Sequence, residues 1–237
     1  MAKIPDIHVY TGPSMNGWKP LIFLEEAEVD YELTRIDFSR GDQKSDWYQK
    51  LNPNGRIPTI VDRGNGDFVV FESGAILWYL AEKFGKFLSS DSKVRSETLQ
   101  WLMFQMGGVG PMMGQAMFFQ RIAKPNGADV PYAIKRYIDE SRRLLTVLNT
   151  RLKGREWIVG DGYSIADMAT YPWARSHFWA NVSTEGLDHL NAWLERIDVR
   201  PRTAAALQLP EPRPWFFGKG DVAAGVAFNA SLFKAAE

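Results

Sequence analysis

The sequence predicts an α/β unit with a small mixed sheet, followed by an all-helical unit. Three observations carry this. Over the first 85 or so residues, strand-length apolar segments alternate with segments of helical period, in the order β-α-β-α-β-β-α. A polar, interrupted stretch, "KFLSSDS" (86–92), then reads as a linker. After it only helical patterns recur. The expected boundaries are 1–87 for the first domain, 93–210 for the helical one and 211–237 for a C-terminal extension.

The elements follow in order. "IHVY" (7–10) is a short strand, and "NGWKPLIFLEEAE" (16–28) places Trp18, Leu21, Ile22, Leu24 and Ala27 near helical period, with Pro20 early enough to be tolerated. "YELTRID" (31–37) alternates as a strand and "SDWYQKLN" (45–52) makes a short helix. "TIVD" (59–62) and "FVVF" (68–71) are strands joined by "RGNG", whose glycines suit a hairpin loop. "SGAILWYLAEKFG" (73–85) is a helix with Gly85 as its stop. Helices are then expected at about 93–121, 131–153, 164–180 and 186–199. "SIAD" (164–167) forms a capping box, with Tyr163 and Met168 available as a hydrophobic staple, and its role is structural. The last stretch, Pro-rich and then aromatic, reads as an irregular extension.

Composition narrows the chemistry. The 237 residues hold 28 basic and 28 acidic side chains, a balance that argues against general affinity for nucleic acid or anionic membrane. No run of about 18 apolar residues is present to span a bilayer, and "MAKIPDIHVY" carries charge without a signal-type apolar stretch, so a cytoplasmic location is expected. Cysteine is absent, which removes disulfides, thiolate metal sites and a protein-borne thiol nucleophile. The three histidines, His8, His177 and His189, lack ligand spacing, so no metal site is expected. Chemistry must use hydroxyls, amides, carboxylates or a borrowed group.

Three places suggest a ligand. Pro58 stands at the mouth of a strand, where it cannot donate to a ladder and leaves the amide and carbonyl of Ile57 free. It is either a plain turn after Asn54-Gly55 or a cis peptide that offers Ile57 to an extended peptide. Glu72-Ser73 lies where a strand ends and a helix begins. Ser73 is a good N-cap, but free amides at a helix start also take a carboxylate, and Glu72 can pair with an ammonium. Ser14 and Asn16 sit where the first helix opens. They either cap it or lower the pKa of a thiol placed there, from about 8.5 toward 7. With no thiol in the chain, the ligand would bring one. A peptide with an α-amino acid head and a central cysteine is glutathione.

At this point the chain resembles the cytosolic glutathione transferases over roughly residues 7 to 205. "RIPTIVD", "FESGAILWYLAEKFG" and "SIAD" stand where that superfamily has its cis-proline loop, its Glu-Ser turn and its capping box. The resemblance implies a thioredoxin-like N-terminal domain, an all-α C-terminal domain and a cis peptide before Pro58. "MNGWKPLIFLEEAEVDYEL", "LQWLMFQMGGVGPMMGQ" and "PYAIKRY" are most similar to the nu-class group of bacterial disulfide-bond oxidoreductases and related fungal proteins. That group implies Asn16 beside the glutathione sulfur, Gln43 at the glycyl end, the Ile57 backbone against the cysteinyl unit and Glu72 and Ser73 at the glutamyl head. It also implies Arg136, from the helical domain, reaching in from a partner subunit of a homodimer. Where the group reads Thr-Pro-Asn-Gly this chain reads Ser14-Met15-Asn16-Gly17, which keeps the hydroxyl but loosens the loop.

Tyr10, four residues before Ser14, is assigned no catalytic role and is expected to pack or face away. The breaks at Gly107, Gly108, Gly110 and Pro111, near Met112, Met113, Met117, Phe118 and Phe119, make either a kinked core helix or one wall of a second-substrate pocket. The implied activity is reduction of a disulfide, with both thiols supplied by glutathione as co-substrate. Conjugation of glutathione to an electrophile, and binding without turnover in a regulator, are the alternatives.

Overall fold

The computed structural model describes residues 4–160 and 162–234. The first unit opens with β1 (Ile7–Thr11), α1 (Trp18–Ala27) and β2 (Tyr31–Arg35), continues through two short 3-10 turns into α2 (Asp46–Leu51), and closes with β3 (Thr59–Asp62), β4 (Phe68–Phe71) and α3 (Ser73–Phe84). The strands lie in the order β2-β1-β3-β4. β1 and β2 are parallel, while β3 runs antiparallel to both β1 and β4. This is the thioredoxin-like mixed sheet, and its strand period puts Ile7, Val9 and Thr11 on one fully buried face. His8 and Tyr10 take the other face, where their rings stack at 4.1 Å. Tyr10 therefore packs, as its place in the strand suggests.

α1 is buried almost all round, which a helix achieves only when covered on several sides. It packs against α3 and against α9 (Pro201–Ala206), a short helix that had no counterpart in the expected elements. Contacts group Arg200–Pro212 with the first unit and Ser89–Val199 with the second, joined there by residues from Arg213 onward. The boundary expected at 210 is thus displaced. The physical reason is a polar anchor: Arg200 Nε and Nη2 reach Glu26 at 2.9 and 2.5 Å, and the Thr203 hydroxyl donates to the same carboxylate at 2.7 Å. Trp18 Nε1 adds a bond to the Leu209 carbonyl at 3.1 Å. The start of the expected linker is also built into this unit, with Phe87 edge-on to Phe23 at 5.5 Å and Lys86 Nζ donating to the Ala27 carbonyl.

The second unit is helical: α4 (Ser92–Phe104), α5 (Gly110–Phe118), α6 (Pro131–Arg151), α7 (Ile165–Arg175) and α8 (Asp188–Asp198). Asp91 caps α4 through the amides of Lys93 and Val94. The capping box forms at the start of α7, and Asp167 does more than close it. Fully buried, its carboxylate accepts from the Ser164 amide and hydroxyl, the Ile158 amide and Trp193 Nε1, at 2.8 to 3.0 Å, tying α7 to α8 and to the preceding turn. Tyr163 lies against Trp157, at 5.1 Å between rings. The C-terminal stretch departs from the expected irregular extension. A 3-10 turn, Pro214–Phe217, leads into α10 (Val222–Lys234). Asp221 caps this Ala-rich segment through the Ala224 amide, and Gly225 lets it cross Trp215, where a Cβ would stand 2.4 Å from the indole. Among the described residues, no helix is long and apolar enough to cross a membrane.

Candidate functional site

The register of the sheet assembles one corner of the first unit. Thr59 pairs with Phe71 in the β3–β4 hairpin and with Tyr10 in the β1–β3 pair. The antiparallel count therefore carries Pro58 opposite Glu72 and Ile57 toward Ser73 on one side, and toward Gly12 on the other. Contact confirms the second neighbour: a Cβ at Gly12 would lie 3.4 Å from Ile57 Cδ1.

The Ile57-Pro58 peptide is cis. The loop before it is held from inside by Tyr48 and Asn52, both buried. The Arg56 carbonyl accepts from Tyr48 Oη at 2.8 Å and from Asn52 Nδ2 at 2.7 Å, and the Thr59 hydroxyl contacts both side chains. Burial pushes the Tyr48 hydroxyl up to about 12, so it stays a proton donor across the neutral range. With Arg56 and Thr59 thus fixed, no described residue bonds to the amide or carbonyl of Ile57 between them. That leaves an unbonded main-chain donor and acceptor on a half-buried residue beside the sheet, groups that can take up a peptide by strand addition.

The loop from β1 to α1 supplies the second side. Gly17 is required there: a Cβ would fall 2.0 Å from the Gly12 carbonyl and 2.7 Å from the Thr11 hydroxyl. Thr11, buried, donates to the Gly17 carbonyl at 3.1 Å and so ties the loop to the strand. Ser14 Oγ accepts from the Gly17 amide at 3.1 Å, leaving its own proton for another acceptor. Asn16 is half-buried immediately before α1, beside the positive end of that helix.

Glu72 and Ser73 form the third side. Ser73, expected as the N-cap of α3, is instead its first residue, and Glu72 occupies the cap with φ 71° and ψ 116°. That unusual backbone turns the chain sharply out of β4. α3 is pinned to the sheet by Asp62, which accepts from Lys83 at 2.7 Å and from Tyr79 at 2.6 Å. Ser73 is buried, and its hydroxyl lies 3.1 Å from the Nζ of Lys19. Lys19 is fully buried in α1, between Trp18 and Pro20. Burial, opposed by the charge of Glu72, lowers its ammonium to about 7. The expected site residues did not include Lys19. Its signal in the sequence is a lone cation within the apolar run "GWKPLIFL".

Gln43 stands in the 3-10 turn Asp42–Lys44, where its main-chain carbonyl would lie 2.8 Å from a Cβ on Gly55. Its side-chain Oε1 is buried without a partner among the described residues, an acceptor available to a ligand. Ser14, Asn16, Gln43, Ile57, Glu72 and Ser73 all belong to the first unit. Arg136 does not: it is exposed on α6 of the second unit, in the lining of a cavity of about 650 Å³ with Met112, Tyr132 and Tyr137. The glycine-rich break is built into the helical core. Gln105–Val109 is a π-turn, and a Cβ on Gly110 or Gly114 would meet Trp173 at 3.4 Å, so these glycines permit close core packing. Met113 and Met117 are core, whereas Met112 faces the cavity.

Comparison with known proteins places the chain in a family. Residues 5–82 match the glutathione S-transferase N-terminal domain, and residues 131–201 match the glutathione S-transferase C-terminal domain. The disulfide-bond oxidoreductase YfcG of Escherichia coli (strain K12) is 44% identical over 205 residues, covering 85% of this chain and 94% of its own. The crystal structure of a glutathione transferase from Pseudomonas putida, with one glutathione disulfide bound per subunit, superposes with a TM-score of 0.82 at 41% identity, covering 87% of this chain and 92% of that one. A glutathione transferase from Burkholderia graminis, with two glutathione molecules bound per subunit, gives 0.84 at 41% identity and coverages of 89% and 90%. The chain belongs to the glutathione S-transferase family.

Proposed function

We propose that the protein is a glutathione-dependent disulfide-bond oxidoreductase whose sulfur chemistry is supplied entirely by its co-substrate. The observation that carries the reading is the unbonded Ile57 rim, set between the Ser14-Asn16 loop and the Glu72-Ser73 turn in a chain without cysteine. The similarity to YfcG and to transferases crystallised with glutathione or its disulfide supports the same assignment.

Each residue has a distinct task. The Glu72 carboxylate pairs with the ammonium of the glutamyl head, and the Ser73 amide and hydroxyl take its carboxylate. The Ile57 amide and carbonyl bind the cysteinyl main chain by strand addition. Gln43 takes the glycyl end, its unpartnered side-chain oxygen accepting from the glycyl N–H and its amide nitrogen donating to the terminal carboxylate. Asn16 and the free proton of Ser14 donate toward the sulfur at the start of α1, where the helix dipole also favours negative charge. Arg136 serves the site of a partner subunit in a homodimer. Bound glutathione supplies the thiolate, which attacks one sulfur of a disulfide, forms a mixed disulfide and expels the other sulfur as a thiolate that takes up a proton; a second glutathione resolves the mixed disulfide. The residues of the chain thus stabilise charge and fix the peptide, and a cytoplasmic, thiol-rich setting suits the reaction.

The test compares the wild type with Asn16→Ala, using glutathione with a small dialkyl disulfide and, separately, with an aryl halide. Loss of the stabilising donor is expected to lower kcat/KM for the disulfide by about 10²- to 10³-fold, with glutathione affinity by calorimetry nearly unchanged. Turnover of the aryl halide alone would make the protein a conjugating transferase. Binding with no turnover of either would make it a regulator.

A further inference from the structure

Lys19 is unexplained by packing. It has no exposed surface, lies on a helix whose neighbours Trp18, Leu21 and Ile22 are all fully buried, and directs Nζ to Ser73 Oγ at 3.1 Å. Burying an ammonium is expensive, and replacing a buried charge with an apolar side chain of similar volume is often neutral or stabilising. A side chain kept there against that penalty points to work outside the fold. We infer, on the basis of the glutathione assignment above, that Lys19 is a positioning residue for the glutamyl carboxylate: it donates to Ser73 Oγ from the interior, which directs the hydroxyl proton outward, and it supplies the positive charge beneath the docked anion.

Protonation of Lys19 fixes the direction of that hydroxyl. As an ammonium Lys19 has only donors, so Ser73 Oγ then accepts from it, and the hydroxyl hydrogen points elsewhere. The alternative of a Ser73 hydroxyl pointing inward would place two donors face to face. Lys19 therefore turns a rotor into an oriented donor at the first residue of α3, next to the amides that already favour an anion.

Several other charged groups on the two helices have partners of their own. On α1 itself Glu25, Glu26 and Glu28 are engaged by Tyr31, Arg200 and Arg202, the last two from the α9 side. On α3, Tyr79 and Lys83 turn to Asp62. Glu72 is the charge that acts on Lys19, and it raises the ammonium's proton affinity where burial lowers it, to about 7. Docking then has a defined proton linkage. Because Lys19 is already fully buried, a ligand adds little desolvation. The carboxylate on Ser73 stands one hydroxyl away and raises proton affinity, whereas the ligand ammonium lies beyond, on Glu72. Binding above neutral pH is expected to draw in a proton.

Titration calorimetry with S-methylglutathione, which has no ionisable thiol, tests this at pH 7.5 in two buffers of different ionisation enthalpy. The wild type is expected to take up about half a proton or more per ligand, falling toward zero at pH 6. Lys19→Met is expected to bind roughly tenfold more weakly, with no linked proton, yet to unfold thermally no earlier than the wild type. A purely structural lysine would give the reverse, with lost stability and unchanged linkage. Wild-type binding without proton uptake at pH 7.5, or Lys19→Met binding as tightly as the wild type, would overturn the inference while leaving the glutathione assignment standing. No binding at all by the wild type would overturn both.

Discussion

Glu72 occupies a backbone region that non-glycine residues seldom enter, with φ at 71° and ψ at 116°. Such conformations cost of order 1–3 kcal/mol and persist where surrounding structure holds them. Here the holding is visible: β4 pairs with β3 up to Phe71, and α3, beginning at Ser73, is pinned by Asp62. Glycine, with no Cβ, enters positive φ at less cost, so a glutamate at the position is explained by its carboxylate. Glu72→Gly is therefore expected to hold or raise the thermal midpoint while weakening glutathione binding at least tenfold, by roughly the 1.4 kcal/mol of one lost charge-assisted contact. Differential scanning fluorimetry with and without glutathione reads both effects. A midpoint that falls in the absence of ligand would mean that Glu72 serves the fold instead.

At the scale of elements, α1 is the part that joins fold to site, and its polar anchor gives a pH dependence with a definite sign. Burial pushes the Glu26 carboxyl upward, but hydrogen bonds from Arg200 and Thr203 and the Arg200 charge outweigh it and hold the group below its ordinary value. A folded-state value below the unfolded one means stability that is present at neutral pH and is lost as the pH falls through the folded value. Glu26→Gln should therefore unfold in denaturant earlier than wild type at pH 7, with the gap narrowing as pH drops below the ordinary glutamate value of about 4.3. A gap that stays constant to pH 3 would remove the charge from the account. Much of this element was legible beforehand, because Trp18, Leu21, Ile22, Leu24 and Ala27 keep helical period. The same pattern concealed why α1 is buried on every side. α9 lies some 175 residues later, and local periodicity carries no information about which distant segment covers a helix. The site divides in the same way. Pro58 and the Glu-Ser turn are backbone signals readable from residue type, and the sheet register adds their adjacency. Lys19 was missed because a charge near a helix start reads as exposed until its neighbours are known. α10 was missed because glycine and proline around it outweighed the run of alanines.

For the molecule as a whole, the chain's route sets what can stand alone. The first unit is not one continuous stretch: the chain runs to Leu88, leaves for the residues from Ser89 to Val199, and returns for Arg200–Pro212. The returning segment brings three things that α1 requires, namely the Arg200 and Thr203 partners of Glu26, the Leu209 carbonyl for Trp18 Nε1, and the apolar cover of α9. Without it, a buried carboxylate and an indole N–H lose their partners, at about 1–3 kcal/mol each, beside newly exposed apolar surface. Against a domain stability of 5–15 kcal/mol, that loss is decisive for a unit of this size. A fragment of residues 1–88 is expected to show no cooperative thermal transition and no glutathione binding. Joining residues 200–212 to its C-terminus through a flexible linker should restore both, as followed by near-UV circular dichroism of the tryptophan signal and by calorimetry. If residues 1–88 alone unfold cooperatively and bind glutathione, α9 is an accessory to the fold, and the contacts at Glu26 and Trp18 contribute far less than their burial implies.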